Sequence, residues 1–452
     1  MSSLKTLRLL PAPARRLIGV NAVNAAGTGL VVPLLVVYLH EMRGFSLSTA
    51  TGAVAATSLG ALAGGPLAGW VSDRFGRMHA VWAALLCAAL GALGFVVCAT
   101  PEAALAAGLV QGLGIGGAIT WNALMAALVP REHWSAVFAT DFAVVNAAMG
   151  LGGLTGGLVA GMTGSLLVFQ VLYALDAATF LATGLLVSRE LRQSGAAGAG
   201  EPADGDGAAV EGESSGVARA ASGTYRDVLR NRCLVSLLVV VFVLFTLGYS
   251  QLNSGMPAVL LAGSALGPTD LGVMFAVNTG AAVLVQIALL DRVRGLSPRT
   301  ALSLLAVSWA LFWLLILVVT WLRGGVYALL TGALAMAVFA FGEALLAATG
   351  PTLVNIWADD SNRGRFNASY GFVCSLGFTA GPLLSGRLTE DGHGVVMAGV
   401  FCLALVLLGL ALCRVGLLPS VPLSQLETDG DPAPAADRDL APEAEKSGTA
   451  ES

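Results

Sequence analysis

Apolar residues run along this chain in stretches of roughly 20 positions, the length an α-helix needs to cross a hydrocarbon core of about 30 Å. Polar or charged breaks separate them. Twelve such stretches can be marked, at 17–39, 47–71, 79–99, 103–128, 135–162, 166–187, 233–261, 270–290, 300–321, 325–349, 367–387 and 394–416. The pattern predicts an all-α membrane protein of twelve transmembrane helices. The longest break, 189–231, falls between the sixth and seventh stretches. Its middle, 194–223, is rich in Gly, Ala, Ser, Glu and Asp and cannot bury a core, so a flexible cytoplasmic linker is expected there. The expected organisation is a cytoplasmic N-terminus 1–16, a six-helix bundle 17–188, the linker 189–231, a second six-helix bundle 232–417 and a disordered acidic tail 418–452.

The two halves repeat. Gly152, Gly156 and Gly161 of the fifth stretch recur at a constant spacing as Gly377, Gly381 and Gly386 of the eleventh, and Asp73-Arg74 recurs as Asp291-Arg292. Each half holds an even number of spans, so the repeats are parallel, and a substrate site is expected at their interface near the bilayer midplane. With the N-terminus inside, every one of the 24 basic residues except Arg43, Arg323 and Arg387 falls on the cytoplasmic side. Both termini are therefore expected in the cytoplasm. The first span follows a basic start and is too long for a signal-peptide core, which predicts an uncleaved helix.

Composition agrees with a bilayer. Hydrophobic residues make up 56% of the chain and charged ones 12%, about half the usual share of a soluble protein. The net charge of −4 lies in loops and tails, and no basic stripe suggests a nucleic acid partner. The six cysteines are dispersed in or beside apolar spans and are expected to be small buried hydrophobes. The four histidines stand at span ends and form no ligand set, so neither metal nor cofactor is called for. Gly112, Gly114, Gly116 and Gly117 lie within a helix without a strand or lysine, which rules out a nucleotide loop. No constellation suggests an enzyme. Lys5 and Lys446 are the only lysines among many arginines and alanines, a coding bias that points to a high-GC bacterial genome and hence to the plasma membrane.

Three acids lie deep inside apolar spans: Asp141, Asp176 and Glu343. An ionised carboxylate near the midplane costs at least about 2.5–3.5 kcal/mol. No Lys or Arg lies comparably deep, and desolvation favours the neutral acid. Such a group can take up a proton when buried and release it when wetted. Polar and aromatic residues on expected inner helices form the candidate substrate cavity: Asn21, Asn24, Trp121, Asn122, Asn146, Tyr249, Gln251, Asn253 and Asn278. Scattered amides and aromatics in an apolar cavity suit bulky amphipathic ligands better than sugars or phosphates. Interhelical hydrogen bonding is the alternative role for each. Trp309 and Trp313 are expected to face lipid or to pack.

The segment Gly69-Trp-Val-Ser-Asp73-Arg74-Phe-Gly76-Arg77, between the second and third spans, resembles the loop signature of the major facilitator superfamily, with a weaker copy at Asp291-Arg292. With the twelve spans and the long central break, the resemblance covers roughly 17–416. It implies that Asp73, Arg74 and Arg77 latch the cytoplasmic ends of the halves together in an outward-facing state. Gly69 would let two helices approach closely and Gly76 would permit the tight turn. Gly342-Glu343 through Gly350-Pro351, Arg363-Gly364-Arg365 and Gly381-Pro382 are similar to the drug/proton antiporter branch. So is Gly152-Gly153-Leu-Thr-Gly156-Gly157, with Gly157 where that motif has a proline. The resemblance places Glu343 on a cavity-lining helix, Asp141 on another, and Asp176 on a peripheral one, where a structural hydrogen bond is expected. The reading is a secondary active transporter, a monomer exporting small amphipathic compounds, such as drugs or secondary metabolites, in exchange for protons. The alternatives are a proton-linked importer of a small organic nutrient and a transporter-like membrane sensor.

Overall fold

The computed structural model describes residues 12–117, 121, 125, 134–193, 230–358, 362–414, 418 and 421. Most of the expected linker and tail, the first eleven residues and Asn122 lie outside the described residues. Twelve main helices are described: α1 Ala12–Val31, α2 Leu47–Phe75, α3 Arg77–Val97, α4 Pro101–Gly116, α5 Trp134–Thr163, α6 Leu166–Gln193, α7 Arg232–Leu247, α8 Pro268–Arg294, α9 Pro298–Leu322, α10 Gly325–Ile356, α11 Arg363–Glu390 and α12 Gly394–Arg414. No strand occurs among the described residues. Ten helical segments are long and apolar enough to cross a membrane by length and composition. Two expected spans fall short of that measure. The described part of α4 has 16 residues, and α11 carries Arg363, Arg365, Asn367, Ser369 and Tyr370 in its first turns.

Local signals set the helix starts. Ser46, Thr100, Asn231 and Ser297 each accept a hydrogen bond from a backbone N–H in the first turn of α2, α4, α7 and α9, which satisfies one of the donors a helix leaves free. Pro101 and Pro298 open α4 and α9, where the missing proline N–H costs nothing. Between α2 and α3 the turn is Gly76 alone, at φ +92°. An L side chain rarely adopts that conformation, which explains the glycine. Asp73 and Arg74 therefore sit in the last turn of α2 rather than in a loop. Asp291 and Arg292 likewise fall within α8; nothing is described of their side chains.

The first helix of each half is interrupted. After α1, Pro33 removes an N–H from the ladder, and the chain passes through a 3-10 turn at Val32–Leu34 and a π turn at Tyr38–Met42. After α7 it runs through a 3-10 turn at Tyr249–Asn253 and a short helix at Gly255–Gly263. The repeated glycines meet equivalent partners in the two halves. Gly152 and Gly156 of α5 press on the α1 carbonyls of Ala26 and Leu30, and Gly377 and Gly381 of α11 press on Phe245 and Ser250 of the α7 segment. Gly161 then meets Thr269 of α8, as Gly386 meets Thr51 of α2. A Cβ at Gly157 would stand 2.7 Å from the Gly272 Cα, so the glycine found in place of the motif's proline is what the α5–α8 contact requires. Gly69 differs from expectation. A Cβ there would meet open space, because no helix approaches it in this conformer.

Within each half, α1 packs on α5 and α6, α2 and α3 on α4, α9 on α10 and α12, and α7 on α11. Large aromatics fill the interior: Trp309, Trp313, Phe312 and Phe339 in one half, and Tyr38, Phe95, Phe169 and Tyr173 in the other, all at most 2% exposed. Trp309 and Trp313 are packing residues, not lipid-facing ones. Their indole N–H groups donate to the Phe339 carbonyl at 3.1 Å and the Leu247 carbonyl at 2.7 Å. Outward faces carry Leu90, Leu284, Leu334, Val396 and Leu407, each more than half exposed. Water disfavours such a surface, and lipid suits it. Cysteines depart from the expectation of uniform burial. Cys98 alone is buried; Cys87, Cys233, Cys374 and Cys402 are half-buried, and Cys413, near the end of α12, is exposed while its thiol reaches Ser303 of α9 at 3.3 Å.

Two seams join the halves, α5 against α8 and α2 against α11. Along the first, Gly150 meets Thr279, Gly153 meets Phe275, Gly157 meets Gly272 and Gly161 meets Thr269. Along the second, Gly386 meets Thr51 and Ser48, and the Ser48 N–H donates to Glu390 Oε2 at 3.1 Å. Both seams are tight at the end that carries Ser48, Thr269 and Glu390.

Candidate functional site

Each of the three deep acids is held by an uncharged donor from a neighbouring helix. Glu343 lies midway along α10, where Gly342 lets the helix press against Ser308 and Trp309 of α9. Asn278 of α8 donates its amide to Glu343 Oε2 at 3.0 Å and to the Met336 carbonyl at 3.3 Å. Tyr249, in the break after α7, faces the same carboxyl. Three helices thus surround Glu343, which is half-buried rather than sealed. Beyond Tyr249 stand Tyr370 and Cys374 of α11, which pair with each other. The sequence reading did not single out those two. A tyrosine and a cysteine one turn apart were the available signal.

The Tyr249 ring belongs to an aromatic wall. It stacks on Trp309 with centroids 5.8 Å apart, meets Phe378 at 5.2 Å and Phe245 at 5.2 Å, and leans towards Phe339. Trp309 and Phe339 are closed off behind it, so Tyr249 and the half-buried Phe378 form its accessible face. An acid beside such a wall offers a proton site and an apolar contact together.

Asp141 of α5 is 8% exposed, and the Asn21 amide of α1 donates to both of its oxygens at 3.0 Å. Asp176 of α6 is fully buried, with Thr28 of α1 donating to Oδ1 at 3.2 Å and Oδ2 left without a partner. This hydrogen bond ties α6 to α1. Among the described residues no ion pair reaches any of the three.

The remaining candidates divide. Asn278 and Asn21 join the acids, and Tyr249 joins Glu343. Asn146 spends its amide on the Phe142 carbonyl of its own helix, and Gln251 is buried with its amide on the Thr246 carbonyl at 2.6 Å. Both amides are thus spent on carbonyls of their own segments, Gln251 in the interior and Asn146 at a half-buried position. Asn24, Trp121 and Asn253 are half-buried, and each keeps one polar side-chain atom buried without a partner. Asp73, Arg74 and Arg77 are exposed and form no ion pair or hydrogen bond across the halves among the described residues. A separate apolar groove of about 350 Å³ at the α2–α11 seam, lined by Thr49, Gly52, Leu59, Leu105 and Leu383, contains none of the deep acids.

A family model described as Major Facilitator Superfamily matches residues 17–337. The probable nitrate/nitrite transporter NarK2 of Mycobacterium tuberculosis is 34% identical over 131 residues, 28% of this chain and 31% of that protein. The match thus spans under a third of that relative's length. Among solved structures, the nucleoside transporter NupG superposes with a TM-score of 0.67 at 15% identity, covering 89% of this chain and 98% of its own. An auto-inhibited POT family peptide transporter superposes at 0.68 with 14% identity, covering 94% and 98%. At such identities the likeness shows a shared fold.

Proposed function

The chain belongs to the Major Facilitator Superfamily and is a multi-pass membrane transporter, and from that premise we propose that it moves a small amphipathic organic solute by exchange for protons, with Glu343 as the proton carrier. The observation that carries this reading is the setting of Glu343: half-buried, enclosed by three helices, and held by an amide instead of a base. An amide N–H donates to a carboxyl oxygen in either protonation state, so it holds the side chain in place in both, more strongly in the ionised one. A site sealed from water favours the neutral acid, and a wetted one releases the proton. Alternating access supplies that cycle.

Asp141, held by Asn21, is the second candidate, and Asp176 is a packing residue of the α1–α6 contact. The basic residues assign the Ser48–Glu390 end to the outside and both termini to the cytoplasm. On that assignment the conformer is closed outside, in an inward-facing state. The exposed Asp73, Arg74 and Arg77 are then a latch awaiting its partners, which meet when the cytoplasmic ends close. An anion such as nitrate would seek a fixed cation and be repelled by an acid, so the Glu343 site favours a neutral or cationic organic solute. Export follows the likeness of Gly152–Gly157 to the antiporter motif.

Vesicles loaded with protein in a known orientation test the reading. A panel of neutral and cationic amphipathic dyes should move against an imposed proton gradient with the wild type and fail to accumulate with Glu343→Gln, while binding is retained. Undiminished pH-driven flux in Glu343→Gln eliminates Glu343 as the carrier. Dye movement along the same direction as protons would make the protein an importer.

A further inference from the structure

We propose that Asn278 is a positioning residue that transmits the charge state of Glu343 to the α5–α8 seam between the halves. This rests on the proton-carrier reading of Glu343 and adds the element that makes a proton move helices. The two amide hydrogens of Asn278 are both used, one on Glu343 Oε2 at 3.0 Å and one on the Met336 carbonyl at 3.3 Å. The next residue, Thr279, stands about 100° further round α8 and lies against Gly150 of α5, where even a Cβ would come within 2.8 Å of it. One step of chain therefore links the acid to a direct contact across the halves. α10 cannot yield instead, because Gly342 beside the acid is pressed on Ser308 and the buried Trp309 of α9. A change at Glu343 can then pass to α8 through Asn278.

The charge dependence has a plain cause. An amide donating to an ionised carboxylate makes a bond about twice as strong as one donating to a neutral acid. Ionised Glu343 grips α8 towards α10, and protonated Glu343 releases it towards α5. The groups facing this carboxyl are few. α7 presents Tyr249, α8 presents Asn278, and α9 presents Trp309 and Ser308 at the adjoining residue. From α11, Tyr370 and Cys374 lie beyond Tyr249.

The test needs no substrate. Spin labels at Glu41 and His393, both exposed and near the closed end on opposite halves, report the distance between the halves in the full chain in lipid nanodiscs as pH is varied. Infrared difference spectra report the Glu343 carboxyl band. Wild type should show both a pH-driven distance change and the band, and Glu343→Gln should lose both. Asn278→Leu should keep the band and lose the distance change, and Asn278→Ser, which retains one donor, should recover part of it. A distance change that survives in Asn278→Leu and Asn278→Ser but is lost in Glu343→Gln overturns the role of Asn278 and leaves the proton reading intact. A distance change near neutral pH, above the range where Glu390 titrates, that survives in Glu343→Gln overturns the proton reading itself. Should Asn278→Leu fail to fold, Asn278→Ser carries the comparison, and an unaltered distance change in it counts against the proposal.

Discussion

Glu343, Asp141 and Asp176 are chemically alike, and their surroundings separate them. Glu343 is half-buried between helices of one half, Asp141 is nearly closed under Asn21, and Asp176 is sealed beneath Thr28. Interhelical hydrogen bonds in membranes contribute around 0.6 kcal/mol each, so losing one acid's partner should leave the fold standing. Asp176→Asn is accordingly expected to fold and transport normally, since Thr28 can donate to an amide oxygen as well. Flux measured beside Glu343→Gln checks this, and loss of flux in Asp176→Asn alone would move the proton site to α6. Aromatic packing is the opposite case. Trp309 is fully buried and supports Tyr249, Phe339 and Gly342 together, so Trp309→Ala should destabilise by on the order of 3–5 kcal/mol, read from unfolding in detergent.

At the scale of helices, glycine decides where the halves can touch. Gly157 faces the Gly272 backbone, which cannot move aside as a flexible side chain could, whereas Gly399 on α12 has nothing within 4 Å. Gly157→Ala should therefore force α5 from α8 and lengthen the Glu41–His393 distance. Gly399→Ala should leave it unchanged, and equal behaviour of the two variants would remove the seam argument. The breaks after α1 and α7 belong to the same scale. The first holds the Tyr38 hydroxyl on the Phe95 carbonyl, and the second brings Tyr249 to an acid.

Across the whole molecule, one end is closed while Asp73, Arg74 and Arg77 at the other form no ion pair across the halves among the described residues. Asp73→Asn removes the charge proposed to latch the cytoplasmic ends, so it should reduce transport at normal expression and hold the molecule in the conformer described. Normal transport by that variant would dismiss the latch. The closed end carries its own titrating contact. Ser48 holds the Glu390 carboxyl below its ordinary value of 4.5, through hydrogen bonds at the start of α2. A lowered value means the contact is fully present above pH 4.5 and is lost as pH falls through the lowered one. The Glu41–His393 distance should thus be steady with respect to Glu390 at neutral pH and lengthen only in strong acid. Glu390→Gln should abolish that acid step.

The length and spacing of apolar stretches were enough to establish helices that cross a bilayer, and the constant offset from Gly152, Gly156 and Gly161 to Gly377, Gly381 and Gly386 disclosed the repeat. Both are local or periodic properties, written in residue type and order. Gly76 was legible for the same reason, because a one-residue turn at positive φ admits little else. The amide partners of the acids were not legible, since Asn278 and Glu343, or Asn21 and Asp141, meet only after separate helices pack. Nor could sequence show that Gly69 is unopposed while Gly157 is pressed on backbone, because a glycine's neighbour depends on which end of the molecule is closed. Hydrophobicity chose the helices, and the side-by-side contacts of those helices chose which polar groups became a site.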